Sequence, residues 1–345
     1  MDPKKNLRIF AKNILYKINK NPVSKALYDY EIQKRSGMPF TSILQLSRHI
    51  QMFSPFTCEL QPVNDWYGHA TILKKFLGLP KNYQFKFIIE HGTFLSEQVA
   101  DIELESNLPS FVTYSKYREG ILKKYRPHTY AIGPLIHYAS HYLTQDQLKR
   151  EKRRLGKTIL FFPSHSLIGL TNEYDMEWSY KKIKSIAKGF DTIRVCIYWR
   201  DVLLGRHKFY LDKGIECVTA GHILDPNFLP RVKSIIQTAD LTVSNDASSP
   251  LSYCIYMNKP HIIFYQRPEM HGKIYFKKVM SDYWKSDPYN EIVKEFSKIK
   301  FKITDKQCRL INYYCGTENV KSKAELKKIV QETEQFYKKT KTGNI

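Results

Sequence analysis

The sequence predicts an α/β protein of two domains, each built on a parallel sheet, with the two sheets facing a cleft. The first observation is the length of 345 residues, which exceeds the usual size of one domain. The second is the alternation of short apolar stretches with helical ones, as in a parallel sheet covered on both faces. The third is a charged helical stretch at residues 140–157 between the two halves. We therefore predict domains over residues 1–145 and 155–318, followed by a C-terminal helix and tail over 319–345.

The first half contains three strand candidates and one clear helix. Short apolar runs predict buried strands, each leading into a loop at its carboxyl end. These strands cover residues 85–92, 110–115 and 129–134. Residues 66–80 are typical of a helix that Gly78 and Pro80 end.

The second half is more regular. Its strand candidates, rich in β-branched and aromatic residues, cover residues 158–164, 192–199, 216–221, 239–245 and 260–266. Helical stretches separate them, notably at 179–190 and 228–239. In such sheets, ligands bind outside the carboxyl ends of the strands. Polar residues directly after each strand are therefore the candidate site residues.

Net charge limits the class of partner. The value of +22 favours phosphate-rich partners, namely nucleic acid, an anionic membrane face or a nucleotide donor. The basic residues are scattered, and no RRM, KH or zinc-finger motif is present. Most aromatic residues lie within apolar runs, where core packing explains them. A nucleic-acid-binding protein is therefore an alternative from a different class and not the leading interpretation.

Cysteine usage and the N-terminal sequence predict a cytoplasmic protein. The six cysteines form no C-x-x-C pair, so neither a disulfide framework nor a zinc site is indicated. Unpaired thiols fit a reducing compartment. Residues 1–20 lack the apolar core and cleavage site of a secretory signal. The amphipathic stretch 7–20 fits either a helix docked on its own domain or one on the anionic inner face of the membrane.

The strongest functional signal is the segment ADLTVSNDASSPLSYCIYMNKPHIIFY at residues 239–265. A predicted strand ends at Ser244 and Asn245, and a helix begins directly after Ser248 and Ser249. Free backbone N–H groups and the positive end of the helix dipole form a phosphate site there, to which the two hydroxyls add donors. The alternative is that both serines only cap the helix.

This segment resembles the donor-binding segment of the teichoic acid glycerol-phosphate polymerases and related GT-B glycosyltransferases. The matching residues are Ala239, Asp240, Ser244, Ser248, Ser249, Lys259 and Pro260. The resemblance implies a GT-B-like fold of two Rossmann-like domains, with the paired hydroxyls on the donor phosphates. The loop is one residue off the family spacing at Asn245 and Asp246, so CDP-glycerol and other nucleotide-activated donors both stay open.

A histidine follows one strand candidate of the first half. The sequence IIEHGTF brings His91 and Gly92 directly after a buried strand. An imidazole can act as a general base near neutral pH, and glycine lets the backbone pass close to a substrate. The alternative is a structural strand-end histidine. In the teichoic acid polymerases a His-Gly at this point supplies the base that deprotonates the acceptor, so the resemblance implies this role for His91.

Polar residues after the strands of the second half complete the candidate site. FFPSHS brings Ser164 and His165 to the end of the first of these strands. The resemblance to GT-B enzymes that use CMP-activated sugars implies that His165 neutralises the leaving phosphate. Arg200 is a candidate for a bidentate phosphate contact, and Tyr198 or Trp199 for stacking on a base. His222 lies in a polar loop beside which GT-B enzymes hold the base and ribose.

These observations predict a metal-independent glycosyltransferase without a cofactor. The chain contains no D-x-D in a loop after a strand, no G-x-G-x-x-G and no P-loop motif. The donor would be a CMP-, CDP- or UDP-linked sugar, and the acceptor a glycan or lipid-linked group of a capsule or lipopolysaccharide. A CDP-polyol phosphotransferase of the teichoic acid type stays an alternative. The catalytic candidates are His91 and His165, and the donor-binding candidates are Ser164, Arg200, His222, Ser244, Asn245, Ser248 and Ser249.

Overall fold

The computed structural model describes residues 22–50, 58–272 and 274–342. The predicted amphipathic helix at residues 7–20 lies outside these ranges. Within them, no helix is both long enough and apolar enough to cross a bilayer.

The strands are short and follow the predicted order. They are β1 Ile88–Ile89, β2 Ser110–Thr113, β3 His128–Ala131, β4 Thr158–Phe162, β5 Leu170–Glu173, β6 Thr192–Cys196, β7 Glu216–Val218, β8 Leu241–Ser244, β9 His261–Ile263 and β10 Glu269–Gly272. The α-helices are Pro22–Arg35, Ile43–Ser47, His69–Leu77, Asp101–Leu104, Lys116–Leu122, Gln145–Leu155, Met176–Ser185, Trp199–Leu203, His207–Asp212, Phe228–Thr238, Ser249–Tyr256, Ile274–Lys285, Asp287–Phe296, Asp305–Cys315 and Lys323–Lys341. Two 3₁₀ helices cover Pro62–Gly68 and Leu135–His137.

Each half is built on a parallel sheet, which confirms the predicted fold class. The first sheet has the order β1-β2-β3, and the second has the order β7-β6-β4-β8-β9. In the second sheet the chain starts at the centre and proceeds outwards first on one side and then on the other. The strand order thus reverses between β4 and β8, and at such a point the loops diverge and leave a crevice. The antiparallel pair of β5 and β10 was not predicted.

One predicted helix is interrupted. Residues 66–80 contain a 3₁₀ helix with non-helical dihedral angles at Trp66 and Tyr67, and a regular helix begins only at His69. The Tyr67 N–H donates to the carbonyl of Ile223 in the second half, 2.6 Å away. That bond takes the N–H away from the helical pattern, so a contact distant in sequence causes the break.

The two halves share one apolar core. Leu73, Phe87 and Val112 of the first half belong to the same cluster as Leu229 and Val232 of the second. The helix Lys323–Lys341 returns to the first half, where its buried apolar side chains join this cluster. The stretch 40–46 contacts the second half instead, through its carbonyls of Phe40 and Leu46, which accept from the N–H groups of Thr219 and His222.

A buried ion pair fixes the loop that follows β1. Arg118 is fully buried, and its Nε donates to Oε1 of Glu90 at 2.8 Å. The same guanidinium donates to the carbonyls of Ser96 and Gln98, the latter at 2.8 Å. The loop then reaches the second half, where the Ser286 hydroxyl donates to the Leu95 carbonyl at 2.6 Å. Arg118 therefore fixes both ends of the loop 91–98, through Glu90 before it and through the carbonyls of Ser96 and Gln98 at its end.

Candidate active site between the two halves

The crevice between β4 and β8 contains an unsatisfied donor. The N–H and the hydroxyl of Ser164 both donate to Oδ1 of Asn245, at 2.6 and 2.9 Å. The amide nitrogen of Asn245 is buried and has no hydrogen-bond partner in the part of the chain that the structure describes. A buried donor without a partner costs free energy, and an acceptor on a ligand would satisfy it. These two residues, predicted separately, thus form one unit at the switch point of the sheet.

His165 lies next to this unit in a buried setting. Burial lowers the pKa of its imidazole, which the Asp201 carboxylate partly offsets. The ring centroid is 4.3 Å from that of Tyr198. On the following residue, the Ser166 hydroxyl donates to Asp201 at 2.8 Å. His165 is therefore a predominantly neutral imidazole. The next residue in the chain, Ser166, is held by its hydrogen bond to the Asp201 carboxylate.

His91 reaches the same region from the first half. Burial lowers its pKa to about 4, and the proximity of His165 contributes to this shift. The ring is parallel to that of Tyr67, with 5.2 Å between centroids, and Trp66 packs edge-on at 4.6 Å. Its Nδ1 is buried without a hydrogen-bond partner among the described residues. His91 is thus neutral at physiological pH, as a general base requires, and no hydrogen bond to Nδ1 among the described residues fixes its tautomer.

Two tyrosines lie between the histidines. The hydroxyl groups of Tyr67 and Tyr198 are 3.2 Å apart, which joins the first half to the second. Sequence analysis did not identify Tyr67, because its part in the site depends on the break in the predicted helix. Tyr198 was expected to stack on a nucleotide base, whereas here it packs against His165.

Ser248 and Ser249 stand at the start of the helix Ser249–Tyr256. The helix Ser249–Tyr256 has Ser248 at its N-cap, yet the Ser248 side chain makes no capping hydrogen bond. Both serines are half-buried. The capping alternative therefore does not describe Ser248, and the start of the helix keeps the features of an anion site.

Ser244 occupies a different environment from the other donor-binding candidates. It is buried, and its hydroxyl donates to the carbonyl of Asp246 at 2.7 Å and lies 2.9 Å from Nε2 of His261. The hydroxyl is therefore already hydrogen-bonded within the second half, in part to His261 on the neighbouring strand β9. Sequence spacing does not reveal that this strand lies next to it.

Arg200 and His222 lie around Trp199 at the ends of β6 and β7. Arg200 is half-buried, and its Nε has no hydrogen-bond partner within the described ranges. The adjacent Asp201 forms a 3.0 Å ion pair with Arg206. His222 packs on the Trp199 ring at 4.3 Å and accepts from the Leu224 N–H at 3.2 Å. Burial lowers the pKa of His222 to about 3, so it is neutral.

A small cavity lies where the carboxyl ends of β1, β2 and β3 face the helix Ser249–Tyr256. Its volume is about 30 Å³, the space of one small polar group, and Gly92, Gly133, Ser252 and Tyr253 contribute to its wall. His69 also lines it and is nearly fully buried, with a pKa lowered to about 3 by that burial. Sequence analysis missed His69, because it reads as an ordinary helix residue. Within the described ranges, no group of three or more His, Cys, Asp or Glu residues is arranged to hold a metal ion.

Glu103 supports His91 from behind. Its Oε1 accepts the backbone N–H of His91 at 2.6 Å, and its side chain is fully buried. Burial raises the pKa of Glu103, and the neighbouring Glu90 carboxylate raises it further. A protonated Glu103 still has a carboxyl oxygen that accepts the backbone N–H of His91. It also avoids a second buried negative charge next to the Glu90 carboxylate.

Comparison with known proteins gives structural likenesses only. No protein-family model matches the chain, and no curated protein is similar to it. Among solved structures, the wall teichoic acid polymerase TagF shares 12% sequence identity over 69% of this chain, at a TM-score of 0.38. The pneumococcal O-GlcNAc transferase GtfA, solved with UDP and GlcNAc, shares 14% identity over 76% of this chain, at a TM-score of 0.34.

A third similar structure is a UDP-glucosyltransferase from Polygonum tinctorium that glucosylates indoxyl, with 10% identity over 66% of this chain and a TM-score of 0.31. The matches span 60% of the TagF chain and 54% of each of the other two. The chain therefore covers little more than half the length of these proteins.

The buried carboxyl group of Glu103 makes stability depend on pH. Because its pKa lies above the ordinary value of 4.5, the folded state holds a proton that the unfolded state releases. The protonated Glu103 therefore contributes to the free energy of unfolding at low pH, and this contribution is lost as pH rises from about 4.5 through the raised pKa. Glu103→Gln, which mimics the protonated form, should match the wild type at pH 5 and exceed it at pH 8. The gap should widen by up to about 1.4 kcal/mol per pH unit.

Urea unfolding at several pH values between 5 and 8 measures this gap. Glu97→Gln is the matched control, since the Glu97 side chain is 75% exposed, and it should show no pH-dependent difference from the wild type. Parallel stability curves for Glu103→Gln and the wild type would mean that Glu103 is ionised in the folded protein.

Proposed function

We propose that this chain is a metal-independent GT-B-type glycosyltransferase. It moves a sugar from a nucleotide-activated donor onto a surface polysaccharide or lipopolysaccharide acceptor. The observation that carries this proposal is that His91 and His165, one from each half, are linked through the rings and hydroxyls of Tyr67 and Tyr198 at the carboxyl ends of two parallel sheets. Reactions between two bound substrates need such groups on opposite walls of one cleft, because proximity converts a bimolecular step into a unimolecular one.

In this proposal the first half binds the acceptor and the second half binds the donor. A ring nitrogen of neutral His91 takes the proton of the attacking hydroxyl as that oxygen bonds to the anomeric carbon of the donor. The bond between that carbon and the nucleotide phosphate breaks, and its electron pair stays on the phosphate oxygen. In this proposal the groups that stabilise that charge are the amide of Asn245, the start of the helix at Ser248 and Ser249, and His165.

Neutral histidines favour this division of roles. A general base must be deprotonated at the working pH, and the pKa of His91, about 4, meets this condition. The Nδ1–H of His165 donates to the Ser166 carbonyl at 3.4 Å, so a hydrogen bond from Nε2 to the departing phosphate needs a second proton on the ring. The nearby Asp201 carboxylate favours that protonation as negative charge develops. Arg200 and His222 would contact the nucleotide at the ends of β6 and β7.

A CDP-polyol phosphotransferase is the second candidate, and the resemblance of the Ser248 and Ser249 segment to the teichoic acid polymerases favours it. The same groups would act, but the acceptor oxygen would attack phosphorus and CMP would leave. The donor alone distinguishes the two reactions.

An anionic membrane surface is the proposed location of the acceptor, on the cytoplasmic side. The helix Pro22–Arg35 exposes Val23, Leu27 and Tyr30 by 68%, 61% and 60%. These residues are four and three positions apart and therefore share one face of the helix. An exposed apolar stripe next to a basic N-terminal segment is typical of a helix that binds a membrane surface.

Vesicle sedimentation tests this location. The full chain should sediment with vesicles that contain phosphatidylglycerol and far less with neutral ones. Changing Val23, Leu27 and Tyr30 to Ser should weaken this binding and leave turnover of a soluble acceptor intact. The control changes Ile299 and Phe301, which are 53% and 54% exposed elsewhere on the surface, to Ser. Equal sedimentation of both variants would argue against a membrane role for this face.

A thermal-shift screen identifies the donor. A nucleotide that binds only the folded state raises Tm, so the chain is tested against CMP, CDP, UDP, GDP and their sugar conjugates. Changing both Ser248 and Ser249 to Ala should weaken binding of the effective nucleotide by about 1–3 kcal/mol, the range for hydrogen bonds to a charged group. Ser185→Ala, on an exposed helix, should not change it. Stabilisation by CDP-glycerol alone supports the phosphotransferase, and stabilisation by oligonucleotides alone supports the nucleic-acid class.

Histidine variants test the mechanism on the donor found in that screen. His91→Ala should reduce turnover about 10²–10⁴-fold, the usual contribution of a general base, while donor affinity stays close to that of the wild type. His165→Ala should weaken donor binding and also slow turnover. His271→Ala, whose half-exposed side chain lies on β10, is the control. Near-normal turnover by a folded His91→Ala variant would reduce His91 to a strand-end histidine.

A further inference from the structure

Tyr67 has a backbone conformation that tyrosine rarely adopts. Its φ is +57°, and among the described residues other than glycine only Asn258 shares a positive value. Asparagine tolerates this region because its short side chain bonds locally, whereas a bulky ring is disfavoured there. Glycine would adopt the same backbone without strain. The backbone alone therefore gives no reason for a tyrosine at this position.

Hydrogen bonds and close contacts on both sides of Tyr67 restrict its backbone to this conformation. Its N–H is bonded to the Ile223 carbonyl at 2.6 Å. The next residue, Gly68, lies so close to the second half that an added Cβ would be 2.3 Å from the carbonyl oxygen of Pro226. On the other side, the amide of Asn64 bonds to the edge of β1, accepting from the Ile89 N–H at 2.8 Å. The segment is thus attached to both halves within a few residues.

The Tyr67 side chain makes contacts that explain why it is tolerated. One face of its ring is parallel to the His91 imidazole, at 5.2 Å and 5°, and Phe228 packs against it at 4.7 Å. Its hydroxyl is bonded to that of Tyr198, whose ring lies on His165. The His91 ring therefore contacts the Tyr67 ring, the two tyrosine hydroxyls share a hydrogen bond, and the Tyr198 ring contacts the His165 ring.

We propose that Tyr67 is a positioning residue that, through Tyr198, sets the separation and orientation of His91 and His165. This inference rests on the proposed function and adds to it a residue that touches neither substrate in the reaction described above. Two aromatic rings in place of flexible side chains fix the distance between acceptor base and departing phosphate, which strongly affects the rate of transfer. The strained backbone is retained because it directs the ring towards His91.

Removing the hydroxyl bond from either side tests the link. Tyr67→Phe and Tyr198→Phe should each reduce turnover by about 3- to 10-fold, the factor for one neutral hydrogen bond. The double variant should be no slower than the single ones, because all three lack the same bond. Losses that multiply in the double variant would show that the two hydroxyls act separately and would overturn the proposal.

Removing the ring tests the contact with His91. Tyr67→Gly relieves the backbone and should reduce turnover about 100-fold with little change in donor KM. Asn258→Gly relieves a similar backbone far from the cleft and is the control, with turnover expected to be unchanged. If the Tyr67→Gly variant does not fold, Tyr67→Asn takes its place, because asparagine also tolerates positive φ.

An NMR titration of the His91 imidazole separates this inference from the proposed function. The titratable groups around His91 are His69, His165 and Tyr67, with Glu103 bonded to its backbone N–H, and the Trp66 ring packs against it as well. Loss of the ring admits water, so the His91 pKa should rise from about 4 towards the ordinary value. That rise without any sugar transfer by the wild type would retain the positioning role and refute the function. An unchanged His91 pKa together with unchanged turnover would refute the positioning role.

Discussion

The buried guanidinium of Arg118 is the interaction on which the candidate site depends. It is the counter-charge for Glu90, and it binds the main chain of the loop that carries His91. Without it, the carboxyl groups of Glu90 and Glu103 would share an apolar interior with no positive partner, which is strongly destabilising. The loop could then no longer extend Leu95 into the core of the second half. A structural ion pair in one half thus determines where a proposed base meets the other.

The chain as a whole is strongly positive, whereas the histidines of its candidate site are neutral. The chain has a net charge of +22, yet the histidines at the centre of the cleft are held neutral by burial. A positive protein attracts nucleotides from a distance, while neutral groups inside avoid the cost of buried charge before a ligand arrives. In the proposed reaction, charge would develop at the site only as the donor phosphate departs, when the Asn245 amide and His165 would interact with it.

The order and class of the strands could be predicted from the sequence because apolar runs and helix signals are local. The rule that ligands bind at carboxyl ends of strands also led to Ser164 and Asn245, which the structure joins by hydrogen bonds. What could not be predicted depends on contacts distant in sequence. Tyr67 leaves the helical pattern because of Ile223, and Ser244 is occupied by His261 on the adjacent strand. Neither position has a signal within its own segment.

The return of the helix Lys323–Lys341 to the first half limits how the cleft can open. Its Glu334 accepts a hydrogen bond from Tyr83 at 2.6 Å, and its Phe336 packs on His128 of β3. With the stretch 40–46 bound to the second half, the polypeptide passes between the halves at more than one point. A wide hinge motion about a single linker is thereby opposed. For the proposed transfer, we expect substrates to be exchanged by small sliding of the packed surfaces and not by a wide opening of the two halves.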